Sequence, residues 1–163
     1  PAPAAAAPLA PAPALAAPLA AAPAPMSNSM AAGNAPEGAA GMVETNVNIA
    51  AVTMNGDAIT SCVIDAVQAQ VSFDGQGQLL TDLSAPVPSK NDRGADYGMG
   101  AVSSIGKEWN EQAAAFAAYV TGKTLDEVAG IAVDEATKPA EADLASSVTI
   151  SIGGFQALLE KLR

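Results

Sequence analysis

Residues 89–104 gather most of the side chains in this 163-residue chain that could meet a ligand. Lys90, Arg93 and Tyr97 stand there among three glycines, and Gly100-Ala101-Val102-Ser103-Ser104 leads toward a predicted helix with Lys107 near its start. Ammonium, guanidinium and hydroxyl groups beside the free amides of a helix start are the parts of an anion or phosphate site, because the helix dipole favours negative charge there. The candidate ligand contacts are therefore Lys90, Arg93, Tyr97, Gly100, Ser103, Ser104 and Lys107. Asp92 and Asp96 lie in the same loop and offset two of the cations. A connection this long is often functional. The plain alternative is a loop that packs over a sheet through Tyr97 and Met99.

The rest of the composition excludes more than it offers. With no His there is no imidazole base, proton shuttle or His metal ligand. Cys62, the single cysteine, leaves no intrachain disulfide and no thiolate cluster. It sits among Ile59, Val63 and Ile64 with acidic Asp65 as its nearest charge, which reads as a buried structural thiol rather than a reactive one. A net charge of -10 argues against nucleic acid, whose binding needs Lys and Arg to displace counterions. The carboxylates lack the calcium-loop spacing, and six aromatics leave little for sugar stacking. They read as a solvated acidic surface. Glu135-Ala136-Thr137-Lys138 resembles the biotin-bearing Glu-Ala-Met-Lys turn of carboxyl carriers, but Pro139 and a helical stripe follow where a carrier has a second strand. No enzymatic reaction follows from these residues, and no cofactor is identified by them.

The elements that must position the loop are legible in outline. Residues 47–54 are rich in β-branched types and end at Asn55-Gly56-Asp57, a hairpin-turn sequence. A long return strand over residues 58–73, bent near Asp65, alternates with Val67, Ala69, Val71 and Phe73 on one face and Gln68, Gln70 and Ser72 on the other. A third strand is predicted over residues 78–83, then a loop over 84–100. Trp109, Ala113, Phe116 and Val120 share one helical face within residues 104–120, and Thr124 with Glu127 forms a capping box for a short helix ending at Gly130. Leu144, Val148, Ile152, Phe155, Leu159 and Leu162 form a final helical stripe, with β-branched residues 148–152 and Gly153-Gly154 as its weak points. The fold class is α+β: an antiparallel β-meander covered on one face by C-terminal helices.

Ahead of the domain, residues 1–25 contain only Ala, Pro and Leu, the composition of an extended, semi-rigid spacer. Residues 26–42 read as a flexible hinge and residues 43–163 as one domain. The spacer lacks the basic start and Pro-free apolar stretch of a signal peptide, and a chain opening at Pro reads as trimmed. No run of 18 apolar residues is present in the domain to span a membrane.

Residues 63–123, notably Ile64-Asp65-Ala66-Val67-Gln68, Tyr97-Gly98-Met99, Ile105-Gly106-Lys107-Glu108-Trp109-Asn110-Glu111-Gln112 and Gly122-Lys123-Thr124, resemble secreted or lipid-anchored, largely uncharacterised proteins of Gram-positive anaerobes. In outline these are similar to extracytoplasmic FMN-binding domains. The resemblance implies an extracytoplasmic binding or redox-accessory module on a Pro/Ala stalk. Families with covalent flavin use a Ser-Gly-Ala-Thr acceptor; here Val102 stands where that Thr would be. The expected partners are a small anionic ligand and copies of the chain or other cell-envelope proteins. An alternative is an assembly subunit whose N-terminal tail docks on a neighbouring copy.

Overall fold

The computed structural model describes the backbone of residues 20–21 and 26–33 and all of residues 41–163. Most of the expected spacer and part of the expected hinge therefore lie outside the described residues. The domain is built on one long antiparallel hairpin, β3 (Gly41–Asn55) and β4 (Ala58–Phe73). Along the other edge of β3 run β1 (Ala20–Ala21) and β2 (Met26–Gly33), both antiparallel to it, so a strand lies within the segment expected as a hinge.

The hairpin turn is Gly56-Asp57, with Asn55 paired to Ala58 as the last rung. Gly56 has φ of 57°, the positive angle a tight turn demands at its first central position. The irregularity in β4 is beside this turn and not at Asp65, which pairs with Ile49 in regular register. Met54 faces Ile59 while Thr53 faces Ser61, so Thr60 is the extra residue, and its hydroxyl donates to the Thr53 carbonyl at 3.0 Å. One added residue inverts the parity of everything beyond it. Ile59 and Ile64, five apart, are both buried as a result.

That parity decides which face is covered, and it reverses the expectation for the second half of β4. Ile64 and Ala66 are buried, so Gln68, Gln70 and Ser72 continue the helix-facing side. The Tyr97 hydroxyl donates to Gln68 Oε1 at 3.4 Å on that side. Val67, Ala69, Val71 and Phe73 lie on the opposite face, level with Val43 and Val47 of β3, and are half-buried. The third strand of the expected meander does not form. Leu79 makes a single bridge to Phe73, while Leu79, Leu80 and Leu83 are 56%, 60% and 62% exposed.

The helices follow. Part of the expected loop is helical: Ser89 and Asp92 cap α1 (Lys90–Arg93) reciprocally, and a 3-10 turn covers Gly94–Tyr97. α2 (Trp109–Val120) packs Trp109, Ala113, Phe116 and Val120 inward, as its spacing predicts. α3 (Leu125–Ala129) carries the predicted Thr124 cap and ends at Gly130. The final stripe is two helices, α4 (Ala142–Ala145) and α5 (Gly153–Glu160), separated by a non-helical segment. All but one of its apolar positions are buried, Leu162 being half-buried. The backbone leaves the helix because tertiary acceptors replace the lost bonds: Thr149 N donates to Gln112 Oε1 and Ile152 N to the Thr137 carbonyl, both at 2.8 Å. The pair of glycines opens α5 instead of breaking a longer helix. The class is α+β, with the core between the helices and the turn-proximal half of the hairpin.

Candidate functional site

α1 and the 3-10 turn bring Lys90, Arg93 and Tyr97 together. Lys90 Nζ lies 4.7 Å from the Tyr97 ring centre and 5.0 Å from that of Trp109, and the Arg93 guanidinium is 4.9 Å from Tyr97. These are cation-π distances, so the rings hold the cations in place. Asp92, expected to offset them, has its carboxylate on the Ser89 amide at 3.3 Å as part of the α1 cap.

The next segment departs from expectation. α2 begins at Trp109, well beyond Ser104, so residues 100–104 are not a helix start. They form a turn in which Val102 N and Ser103 N both donate to the Met99 carbonyl. The available amides are already taken by the chain itself: Met99 N donates to Glu108 Oε2 at 2.8 Å and Gly100 N to Glu108 Oε1 at 2.9 Å. An anion cradle exists here, filled by the protein's own carboxylate. Gly100 is thus a structural position, since a Cβ on it would stand 2.7 Å from Glu108 Oε1.

Gln112 ties this turn to the C-terminal half. It is fully buried; its Nε2 donates to the Lys107 carbonyl at 3.0 Å and to Ser103 Oγ at 3.2 Å, while Oε1 accepts from Thr149 N and Oγ1. With every polar atom satisfied, one side chain joins three segments.

Between these segments opens a groove of about 550 Å³. It is lined by Lys90, Met99, Val102, Ser103 and Ser104 from the segment before α2, by Trp109 and Gln112 of α2, and by Lys138, Thr149, Ile150 and Ser151 from the C-terminal part of the chain. Of the predicted contacts, Lys90, Ser103 and Ser104 line it. Tyr97 and Arg93 stand behind Lys90 in the ring stack, whereas Gly100 and Lys107 are not in the lining. Sequence reasoning missed Lys138 and Thr149, which only tertiary folding brings here. Gln112 had left one trace, a polar residue three positions after Trp109 on the inward side of α2.

Cys62 lies by a second cavity of about 300 Å³, beside Ala114, Ala117 and Ala118 of α2. Burial pushes its thiol up to about 11, which keeps it protonated and unreactive near neutral pH. Among the described residues no three His, Cys, Asp or Glu side chains group as metal ligands. Compared with family models, curated proteins and solved structures, the chain matches none of them.

Proposed function

We propose that the chain is a binding or redox-accessory module, displayed outside the cytoplasm on its Pro/Ala-rich stalk, that takes a small anionic molecule with a flat apolar body, such as a flavin phosphate, in this groove. One observation carries the reading. In a chain of net charge -10, Lys90 and Lys138 reach the same groove from opposite halves of the domain, and no carboxylate ion pair holds either among the described residues. The acidic surface repels an anion elsewhere, so these two ammoniums make the groove the favoured place for one. Serine hydroxyls supply donors, and Met99, Val102 and Ile150 supply apolar surface. The spacer composition and the resemblance to extracytoplasmic FMN-binding domains support display outside the cytoplasm. No helix among the described residues is long and apolar enough to cross a membrane.

Titration of FMN and of riboflavin, read by the fluorescence of the sole tryptophan, tests this. FMN should quench Trp109, riboflavin should bind more weakly for want of the phosphate, and Lys90→Ala should weaken FMN. Absence of FMN binding at high micromolar concentration would sink the flavin reading.

The second reading, an assembly subunit, draws on Leu79, Leu80, Leu83 and Val87, large apolar side chains close in sequence and each more than half exposed, as interaction surfaces require. Sedimentation of the whole chain across a concentration series separates the two. Self-association abolished by Leu80→Ser and Leu83→Ser would favour assembly.

A further inference from the structure

We infer that the groove selects a group bearing two negative charges, and that Lys138, presented by a strained turn at Thr137, sets this preference, which rests on the groove being the ligand site. Thr137 has φ of 57°, and it is the non-glycine residue with positive φ among the described residues. A β-branched side chain is out of place in that region, so the surroundings must impose it. They do so from every side. Thr137 N donates to the Asp134 carbonyl, the Thr137 carbonyl accepts from Ile152 N, and its hydroxyl lies 2.5 Å from Ser151 Oγ. Its side chain packs where Gly153 has no Cβ; one built there would sit 3.0 Å from Thr137 Cβ.

The next residue is pinned as firmly. Lys138 N donates to Asp134 Oδ1 at 2.8 Å and its carbonyl accepts from Asp134 N at 2.9 Å. With the backbone held on both sides, what the turn offers is the side chain, which lines the same groove as Lys90. Lys90 is steadied in turn by Tyr97 and Trp109.

Among the described residues no Asp or Glu lines the groove, although the chain has 17 of them. Two ammoniums on one groove repel each other, and a single negative charge satisfies one of them. A dianionic group satisfies both, and the Ser103 and Ser104 hydroxyls can donate to its remaining oxygens. A phosphate monoester has this chemistry, since its second proton leaves at about pH 6.

Phenyl phosphate and phenyl sulfate test the inference, since they share a ring and differ by one charge at pH 8. Trp109 fluorescence should show the phosphate bound about tenfold more tightly than the sulfate. In Lys138→Gln this preference should collapse to near equality with the affinity for the sulfate little changed. Thr137→Gly, which keeps the left-handed backbone without strain, should retain it. At pH 5 the wild-type preference should vanish as the phosphate takes up its second proton. Equal binding of both anions by the wild type would overturn dianion selection while leaving the groove as an anion site. A preference that survives Lys138→Gln would overturn the role of Lys138, and failure of both probes to bind would remove the site reading along with it.

Discussion

Beyond the bulge at Thr60, β3 and β4 keep one register to the end of the hairpin, yet its two halves live in different surroundings. Near the turn, Ala50 and Val52 of β3 and Ile59, Ile64 and Ala66 of β4 lie under the helices and are buried. Farther along the same face come Glu44, Asn46, Gln68 and Gln70, hydrogen-bonded to one another or to Tyr97 at the margin of the helical layer. The apolar residues of this distal half point the other way. Alternation therefore reveals that a strand has two unlike faces, but the docking of helices decides which one becomes interior, and it can differ along a single strand.

The contrast can be broken most forcefully in the core above the proximal half. Phe116 is fully buried with its ring centre 5.4 Å from that of Phe155, so Phe116→Ala should cost about 3–5 kcal/mol in urea unfolding. A loss below about 1 kcal/mol would mean that the helices do not rest on this core. A sharper comparison comes from two β4 residues on opposite faces. Ile64→Ala should lose about 2–4 kcal/mol and Val67→Ala about 1 kcal/mol or less. The reverse ranking would restore Val67 to the interior.

Titration separates the halves more finely. At Cys62, desolvation raises the thiol from an ordinary 9.0 to about 11. The unfolded chain then releases this proton first, so stability should hold below pH 9 and decline as pH rises toward 11; Cys62→Ala should remove that part of the alkaline decline. At Glu44, the Gln70 amide, followed by those of Asn46 and Gln68, lowers the carboxyl below its ordinary value. Here stability is present above the ordinary carboxylate range and fades as pH falls through the lowered value. Because Glu44 is at the surface, Glu44→Gln should leave the melting temperature at neutral pH almost unmoved, the smallest effect of the series. A large drop would reveal that the distal half is packed after all.

What was legible in the sequence was local. The Gly56 turn lies one residue from its expected place, the Thr124 capping box is where its spacing put it, and Trp109, Ala113, Phe116 and Val120 face inward together. What was illegible depended on distant partners. The bulge at Thr60 leaves no mark in the alternation around Asp65, and the segment after α4 leaves its helix because Gln112 and Thr137 accept its amides. The site divides the same way. Lys90, Ser103 and Ser104 cluster in sequence and stay together in space, whereas Lys138 arrives from the far side of the fold. The sequence marks the amides near Gly100 as an anion site at a helix start, but they form a turn before α2 and the anion that fills them is Glu108, close along the same chain.

That internal carboxylate has a kinetic consequence. With Glu108 tied to the amides of Met99 and Gly100, and Gln112 holding Ser103 and the Lys107 carbonyl, the stretch from residue 99 to 108 is fastened at its ends and its middle. A segment so anchored behaves as a fixed bracket and not as a swinging gate. A ligand of the proposed kind should then enter and leave the groove without waiting for a conformational step, and hydrogen exchange at the Met99 and Gly100 amides should be slow whether or not the groove is filled.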